Sequence, residues 1–461
     1  MTVITRFAPS PTGYLHIGGA RTALFNYLFS KKNNGKFLLR IEDTDKKRST
    51  QEAVDAIING MKWLGLNHDD NIFLQSKNEK RHAEVAHQLL EKGMAYKCYC
   101  TTEELDEMRK LAEAEGRGFK YPKIWRDKSE TEAPSDIKPS IRIKAPLTGE
   151  VKINDLVQGE VTYPAEDIDD MVILRADGTP TYLLAAVVDD HDMGITHIIR
   201  GDDHLTNAFR QKVIFEAMGW KMPETAHIPL IHGADGAKLS KRHGALAVEV
   251  YRDELGYINE AIVNYLMGLA WNYGDEDKIS LADAIAKFEI TSVGRSPSRF
   301  DFAKLNSLNF LYLRDEENNT TLENLKPFLI KKYGEVSNDK LGAILKLLTA
   351  LKERASNYVE LADKCEFIIH RLEYNTKAKE QLDKGKDNLS KLIERFDSLN
   401  EWNSNKIKEV FDNFGTENNI KAGAYMPAFR VAVCGTMEAP SLIEVMEALG
   451  KNEVLKRVNN I

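Results

Sequence analysis

Residues 3–21, VITRFAPSPTGYLHIGGAR, decide how the rest of the chain is read. Val3, Ile4 and Phe7 carry β-favouring side chains, Pro9 and Pro11 forbid helix, and Gly13 permits a sharp turn. Ala20, Leu24, Tyr27 and Leu28 then recur at helical spacing, so a helix is predicted to begin near Gly18. The first N–H groups of a helix have no partner within it and carry the positive end of its dipole. They attract an anion, and Gly18 and Gly19 leave room for its close approach. His16, just before them, is a donor for the same anion. A strand, a Pro/Gly loop and a helix start in this order point to chemistry on a phosphate.

Working outward, KFLLRIEDTD (36–45) is an apolar run ending in acids, the pattern of a buried parallel strand with polar groups at its carboxyl end. Ser49 with Glu52 fits a capping box, and Ala53, Ile57, Met61 and Leu64 lie on one face of the helix that follows. Strand, helix, strand, helix opens a doubly wound α/β sheet, whose ligands sit beyond the carboxyl ends of the strands; Ser10, Glu42 and the glycines should converge there. From about 78 to 182 the pattern changes to a charged helical stretch (103–115) and alternating β-type segments, SIRIKA and EVKINDLVQGEVTY, an insertion within the sheet domain. YLLAAVVDD, expected as a central strand, and THIIRGDDH resume the first pattern. Beyond 315, LGAILKLLTALKERA, KLIERF and SLIEVMEALG are amphipathic helices separated by polar loops, with no β-barrel pattern.

Composition bounds the class but not the function. A chain of 461 residues makes about three domains on the usual length prior. At 43% hydrophobic and 29% charged it reads as a soluble globular protein. No apolar run approaches the roughly 18 residues needed to span a bilayer, and the first strand leaves no room for a targeting segment, so a cytoplasmic location without a membrane partner is expected. Four cysteines (Cys98, Cys100, Cys365, Cys434) argue against a disulfide framework. A net charge of −7 does not advertise a nucleic-acid binder, though binding depends on where Lys and Arg cluster.

PSPTGYLHIGGAR resembles the HIGH signature of class I aminoacyl-tRNA synthetases in the form carried by the glutamyl and glutaminyl branch, with His16-Ile17-Gly18-Gly19 in the four positions. Lys238-Leu239-Ser240-Lys241-Arg242, in GAKLSKRHGA, resembles the family's KMSKS loop, and Gly233, Gly236 and Gly244 around it suit a mobile lid. The resemblance covers essentially the whole chain and is closest to bacterial-type glutamyl enzymes.

What it implies is an ATP-dependent ligase. Glutamate's α-carboxylate attacks the α-phosphorus of ATP, pyrophosphate leaves, and the glutamyl group passes to the 3′ end of tRNA(Glu). No protein nucleophile is required; positioning and charge stabilisation carry the rate, with Mg2+ accompanying ATP. His16, Lys238, Lys241 and Arg242 take the catalytic positions; Gly18, Gly19, Leu230, Ile231 and Lys241 the ATP positions, Leu230 and Ile231 being those of the adenine. The amino-acid substrate has two carboxylates and an ammonium, which calls for two cationic forks and one acid. Arg6, Arg200 and Glu42 match positions the family uses for glutamate, with Ser10 and Tyr182 as neighbouring hydrogen-bonders. Which arginine takes which carboxylate stays open. Ala186 stands where some relatives have Asn, so any contact from that position is absent.

Asp45 and Arg48, in RIEDTDKKR, match positions near the tRNA acceptor end. Arg354, in LKERASNYVEL on a predicted helix, resembles the arginine by which discriminating relatives check the third anticodon base. Cys98 and Cys100 match half of a zinc site that some relatives complete about 25 residues on; here that stretch is YPKIWRD, with Trp125 in the Cys position, so zinc is not expected. The implied architecture is a class I Rossmann-like catalytic domain (1–77 and 183–232), an α+β acceptor-binding insertion (78–182), a connecting helical domain with the KLSKR loop (233–315), and an all-α anticodon-binding region (316–461) divisible near 373, as a monomer. Arg200 and the helical C-terminal half disfavour a glutaminyl-tRNA synthetase. Length disfavours the tRNA-modifying glutamyl-queuosine relative. Retained loop cations disfavour an inactive RNA-binding paralogue. Charging of tRNA(Gln) as well stays open.

Overall fold

The computed structural model describes all residues except Met1, Arg117 and 240–245, together with the side chain of Glu130. It divides into two compact units, Met1–Glu249 with Val263–Asp301, and Val250–Ile262 with Phe302–Ile461.

In the first unit β1 (Ile4–Phe7), β2 (Lys36–Ile41) and β3 (Phe73–Leu74) form a parallel sheet in that order. Helices α1 (Ile17–Lys32) and α2 (Gln51–Trp63) make the crossovers. The cap of α2 is Thr50, whose hydroxyl accepts from Ala53 N–H, and not Ser49 as the S-x-x-E spacing suggests. Glu79–Glu91 (α3) then leads into an antiparallel sheet of β4 (Ala95–Cys98), β5 (Ser140–Ile143) and β8 (Val172–Leu174). Between them lie α4 (Thr102–Ala114), which starts on a full Thr101/Glu104 capping box, and a hairpin of β6 (Glu150–Asp155) and β7 (Gly159–Pro164).

YLLAAVVDD is not the central strand expected of it but a helix, α5 (Tyr182–Asp192). Leu184, Ala185, Ala186, Val187 and Val188 are all buried, and a helix apolar all round looks like a buried strand by periodicity. The strand that completes the pattern is β9 (His197–Gly201). It is followed by α6 (Leu205–Met218), which ends on a left-handed Gly219, and by β10 (Glu224–Ile228), parallel to β9. The β6–β7 hairpin extends this second sheet, in the order β7-β6-β10-β9. The two sheets meet where Thr196 N–H donates to Ile4 O at 2.9 Å and Ile4 N–H to the Thr196 hydroxyl at 2.8 Å. The carboxyl ends of β1, β2, β9 and β10 therefore open at one place, the switch point at which doubly wound sheets bind ligands. A short pair, β11 (Ile231–His232) with β12 (Ser298–Arg299), follows β10.

The second unit contains helices and turns but no strand among its described residues. Its core runs from Ile258 and Ala261 through Leu347, Leu348 and Ile368 to a ring cluster of Phe396, Phe411, Phe414 and Phe429. No described helix is long and apolar enough to cross a membrane.

Candidate active site

His16 caps α1, its Nδ1 accepting from Gly19 N–H at 3.1 Å. Surrounding protein, and then the Lys238 ammonium, hold the ring below its ordinary pKa. The neutral ring with an accepting Nδ1 carries its proton on Nε2, so a donor is left beside the helix N-terminus. A side chain on Gly19 would press on the end of Leu15, 3.2 Å away, which would have to give way. The described residues flanking 240–245 are held on both sides: Leu239 N–H donates to Ile231 O at 3.1 Å, while Val248 N–H donates to Leu15 O at 2.8 Å and Ala247 pairs with His16. Lys238 reaches Asp203 at 3.0 Å. Lys241 and Arg242 lie outside the described residues. Ile231 is buried; Leu230, half-buried, lies against Gly201. Arg21, buried beneath, donates to Pro229 O and to Leu269 O, and its burial lowers its pKa to about 10.

A cluster of buried charge occupies the strand ends. Arg6 donates to both Asp190 oxygens, at 2.9 and 3.4 Å, and Arg40 donates to Asp190 at 2.6 Å and to Glu42 at 3.2 Å. Burial opposes the charge on Asp190, but Arg40 and Arg6 outweigh it and hold the carboxyl below its usual range; burial pushes Glu42 up. Arg200 donates through Nε to His227 Nε2 at 3.1 Å and through Nη2 to Gln211 at 2.8 Å. Its Nη1 is buried without a partner among the described residues. Burial lowers the Arg200 pKa; around it stand the neutral Tyr182 phenol and the charged groups of Arg6, Asp190 and Glu42. Tyr182 is partly exposed, near the His204 ring. Arg6, Arg40 and Arg200 stand here with Asp190 and Glu42, and Asp189 lies close enough to Arg40 to favour its charge. Ser10 is exposed on the loop after β1, where Pro9 O accepts from Glu42 N–H at 2.9 Å.

This pairing of a helix N-terminus with a buried arginine cluster coincides with a family profile, "tRNA synthetases class I (E and Q), catalytic domain", over residues 2–307; "Anticodon binding domain" matches 320–461. The chain belongs to the class I tRNA synthetases. Across its full length it is 48% identical to "Glutamate–tRNA ligase 2" of Parvibaculum lavamentivorans, covering 94% of that protein. It is 50% identical to the protein of that name from Paramagnetospirillum magneticum, covering 97% of it. A crystal structure of a glutamate tRNA ligase from Elizabethkingia meningosepticum, in complex with its amino acid, matches with TM-score 0.90 at 31% identity, over 100% of this chain and 99% of that one.

Several residues of this synthetase site escape a reading of motifs. Asp190, Arg40, Gln211 and His227 surround the expected positions, and the signal available was a charge inside an apolar run: Arg40 in KFLLRI and the two acids ending YLLAAVVDD. Asp45 and Arg48 are exposed and 3.9 Å apart. Arg354 is not on a helix; the helix Asn338–Lys352 ends before it, and in the turn beyond, its guanidinium donates to Glu438 O at 2.9 Å. The thiols of Cys98 and Cys100 lie 3.3 and 3.6 Å from the hydroxyl of buried Tyr121, while Trp125 packs on Tyr99.

Proposed function

We propose that the protein is a glutamate–tRNA ligase that activates L-glutamate with ATP to glutamyl-adenylate and transfers it to the 3′ end of tRNA(Glu) in the cytoplasm. The observation that carries the substrate is the unspent Arg200 Nη1, a buried donor beside Arg6 and Glu42. Glutamate brings two carboxylates and one ammonium; glutamine brings no net charge and would leave a buried donor facing an amide. Arg6 and Arg200 serve the two carboxylates and Glu42 the ammonium, with Tyr182 and Ser10 alongside. Adenine lies against Leu230 and Ile231, and its phosphates meet Gly18, Gly19, His16, Lys238, Lys241 and Arg242. Mg2+ travelling with ATP neutralises phosphate charge, and Asp202 and Asp203, beside Arg21 and Lys238, are the carboxylates suited to it. Asp45 and Arg48 attend the acceptor end, and the four-part division at 77, 182, 232 and 315 gives each task its segment.

ATP–pyrophosphate exchange with glutamate, with and without tRNA and with glutamine as control, tests this. Exchange supported by glutamine as well as by glutamate removes the reading. Charging of tRNA(Gln) alongside tRNA(Glu) is a second reading, favoured by one observation: Arg354 spends a donor on Glu438 O.

A further inference from the structure

Arg200 is held from behind, through a chain that crosses three neighbouring strands. Its Nε–H donates to His227 Nε2 at 3.1 Å. A guanidinium has only donors, so that nitrogen accepts, and the neutral imidazole carries its proton on Nδ1. Nδ1 lies 2.6 Å from Asp155 Oδ2. Asp155 is fixed in turn: Oδ1 accepts from the backbone N–H of Val157 at 3.1 Å and Gln158 at 2.9 Å, and the His227 N–H reaches both oxygens at 3.0 and 3.1 Å. Gln158 also donates from its side chain to His227 O at 2.8 Å. Asp155 ends β6, His227 is in β10 and Arg200 in β9, three consecutive strands of one sheet, and all three residues are buried.

Burying an acid, an imidazole and a guanidinium in line is a poor way to gain stability, since apolar residues of similar volume do as well or better. What the line does provide is direction. With Nε held by His227 and Nη2 by Gln211, the guanidinium plane has one orientation, and Nη1 is its uncommitted end. Recognising a planar carboxylate depends on that orientation more than on charge alone.

We propose that Asp155 and His227 are positioning residues for Arg200: the carboxylate sets the imidazole tautomer, the imidazole sets the guanidinium plane, and the choice of a carboxylate over an amide on the substrate depends on an acid supplied by the inserted segment. This rests on Arg200 taking the substrate's side-chain carboxylate.

Asp155→Asn separates the two. The amide keeps the shape and leaves Oδ1 to accept the backbone N–H groups, but puts an NH2 against His227 Nδ1. The ring proton then moves to Nε2, donor against donor with Arg200. Imidazole 15N shifts are measured for wild type and variant, with steady-state activation of glutamate and glutamine, and Arg200→Gln is assayed beside them. We expect Nδ1–H in wild type and Nε2–H in Asp155→Asn. We expect KM for glutamate to rise and the glutamate-to-glutamine ratio of kcat/KM to fall roughly ten- to a hundred-fold, with KM for ATP unchanged. Nε2–H in wild type overturns the relay, as does a flipped tautomer with an unchanged ratio, or a loss spread equally over glutamate and ATP. If Arg200→Gln lowers the ratio and Asp155→Asn does not, only the relay fails; if neither does, the role of Arg200 fails with it.

Discussion

Asp190 holds two guanidiniums with one carboxylate, in the interior, with almost no solvent to help. Taking its charge away leaves Arg6 unpaired and Arg40 with Glu42 alone, so Asp190→Asn should destabilise the protein by about 3–5 kcal/mol, read as a lower urea midpoint at unchanged slope. The acid behaviour of Asp155 has a definite sign. Although burial opposes it, hydrogen bonds from His227 and Gln158 bring its pKa from 3.8 to about 2. A folded value below the unfolded one means stabilisation that is complete above the unfolded pKa and is lost as pH falls through the folded one. The stability gap between wild type and Asp155→Asn should therefore be about 2 kcal/mol at neutral pH and close between pH 4 and 2, in urea titrations run at each pH. At this scale the sequence reading was uneven for a physical reason. His16 and the two glycines act on the backbone beside them, so their reading needs only neighbours. Asp155 and His227 meet across 72 positions, and no local pattern marks them as partners.

Secondary structure was legible where the ends of an element are marked. The strand–loop–helix at the start, broken by Pro9, Pro11 and Gly13 and capped by His16, and α4, with its Thr101/Glu104 capping box, follow their sequence patterns. Helix α5 does not, because burial on every side removes the periodicity, and only its two terminal acids hint that the run is more than core. Strand β4 shows a different replacement. Cys98 and Cys100 turn their thiols toward the Tyr121 hydroxyl, a neutral phenol whose pKa is pushed up by burial. Two thiols and a protonated phenol do not make a tetrahedral zinc site, so elemental analysis of purified protein should find well under one zinc per chain. In the second unit the helix Met426–Cys434 ends on Gly435 at φ +77°, where an added Cβ would fall 2.5 Å from Leu372 O. Gly435→Ala combines left-handed strain with a backbone clash; a loss of about 2–4 kcal/mol is expected from thermal melts.

For the molecule as a whole one matched profile covers residues 2–307 and the other 320–461. Anticodon selectivity is the least visible property, since Arg354 sits in a turn, exposed, with one donor on Glu438 O. If it reads the third anticodon base, its donors favour the O2 and N3 acceptors of C over the donor edge of G. Glutamylation of tRNA(Glu) and tRNA(Gln) transcripts should then differ by roughly ten- to a hundred-fold in wild type, and Arg354→Gln should narrow the gap. An unchanged ratio points to an enzyme that charges both.

The order in which the chain passes through its two units matters during synthesis. Residues 250–262 belong to the helical unit, yet the chain then returns to the sheet unit through Asp301 before Phe302–Ile461 is made. Ile258 N–H is met by Asn309 Oδ1 and Gly256 O by Tyr358 N–H, so at ~5–20 residues per second Ile258 and Ala261 wait roughly 2–20 s for the first helices they join. During that interval a nascent chain carries an apolar segment with no core to join. A ribosome stalled in the C-terminal half should accordingly display a species that chaperones recognise, whereas a release experiment on the finished chain would show none.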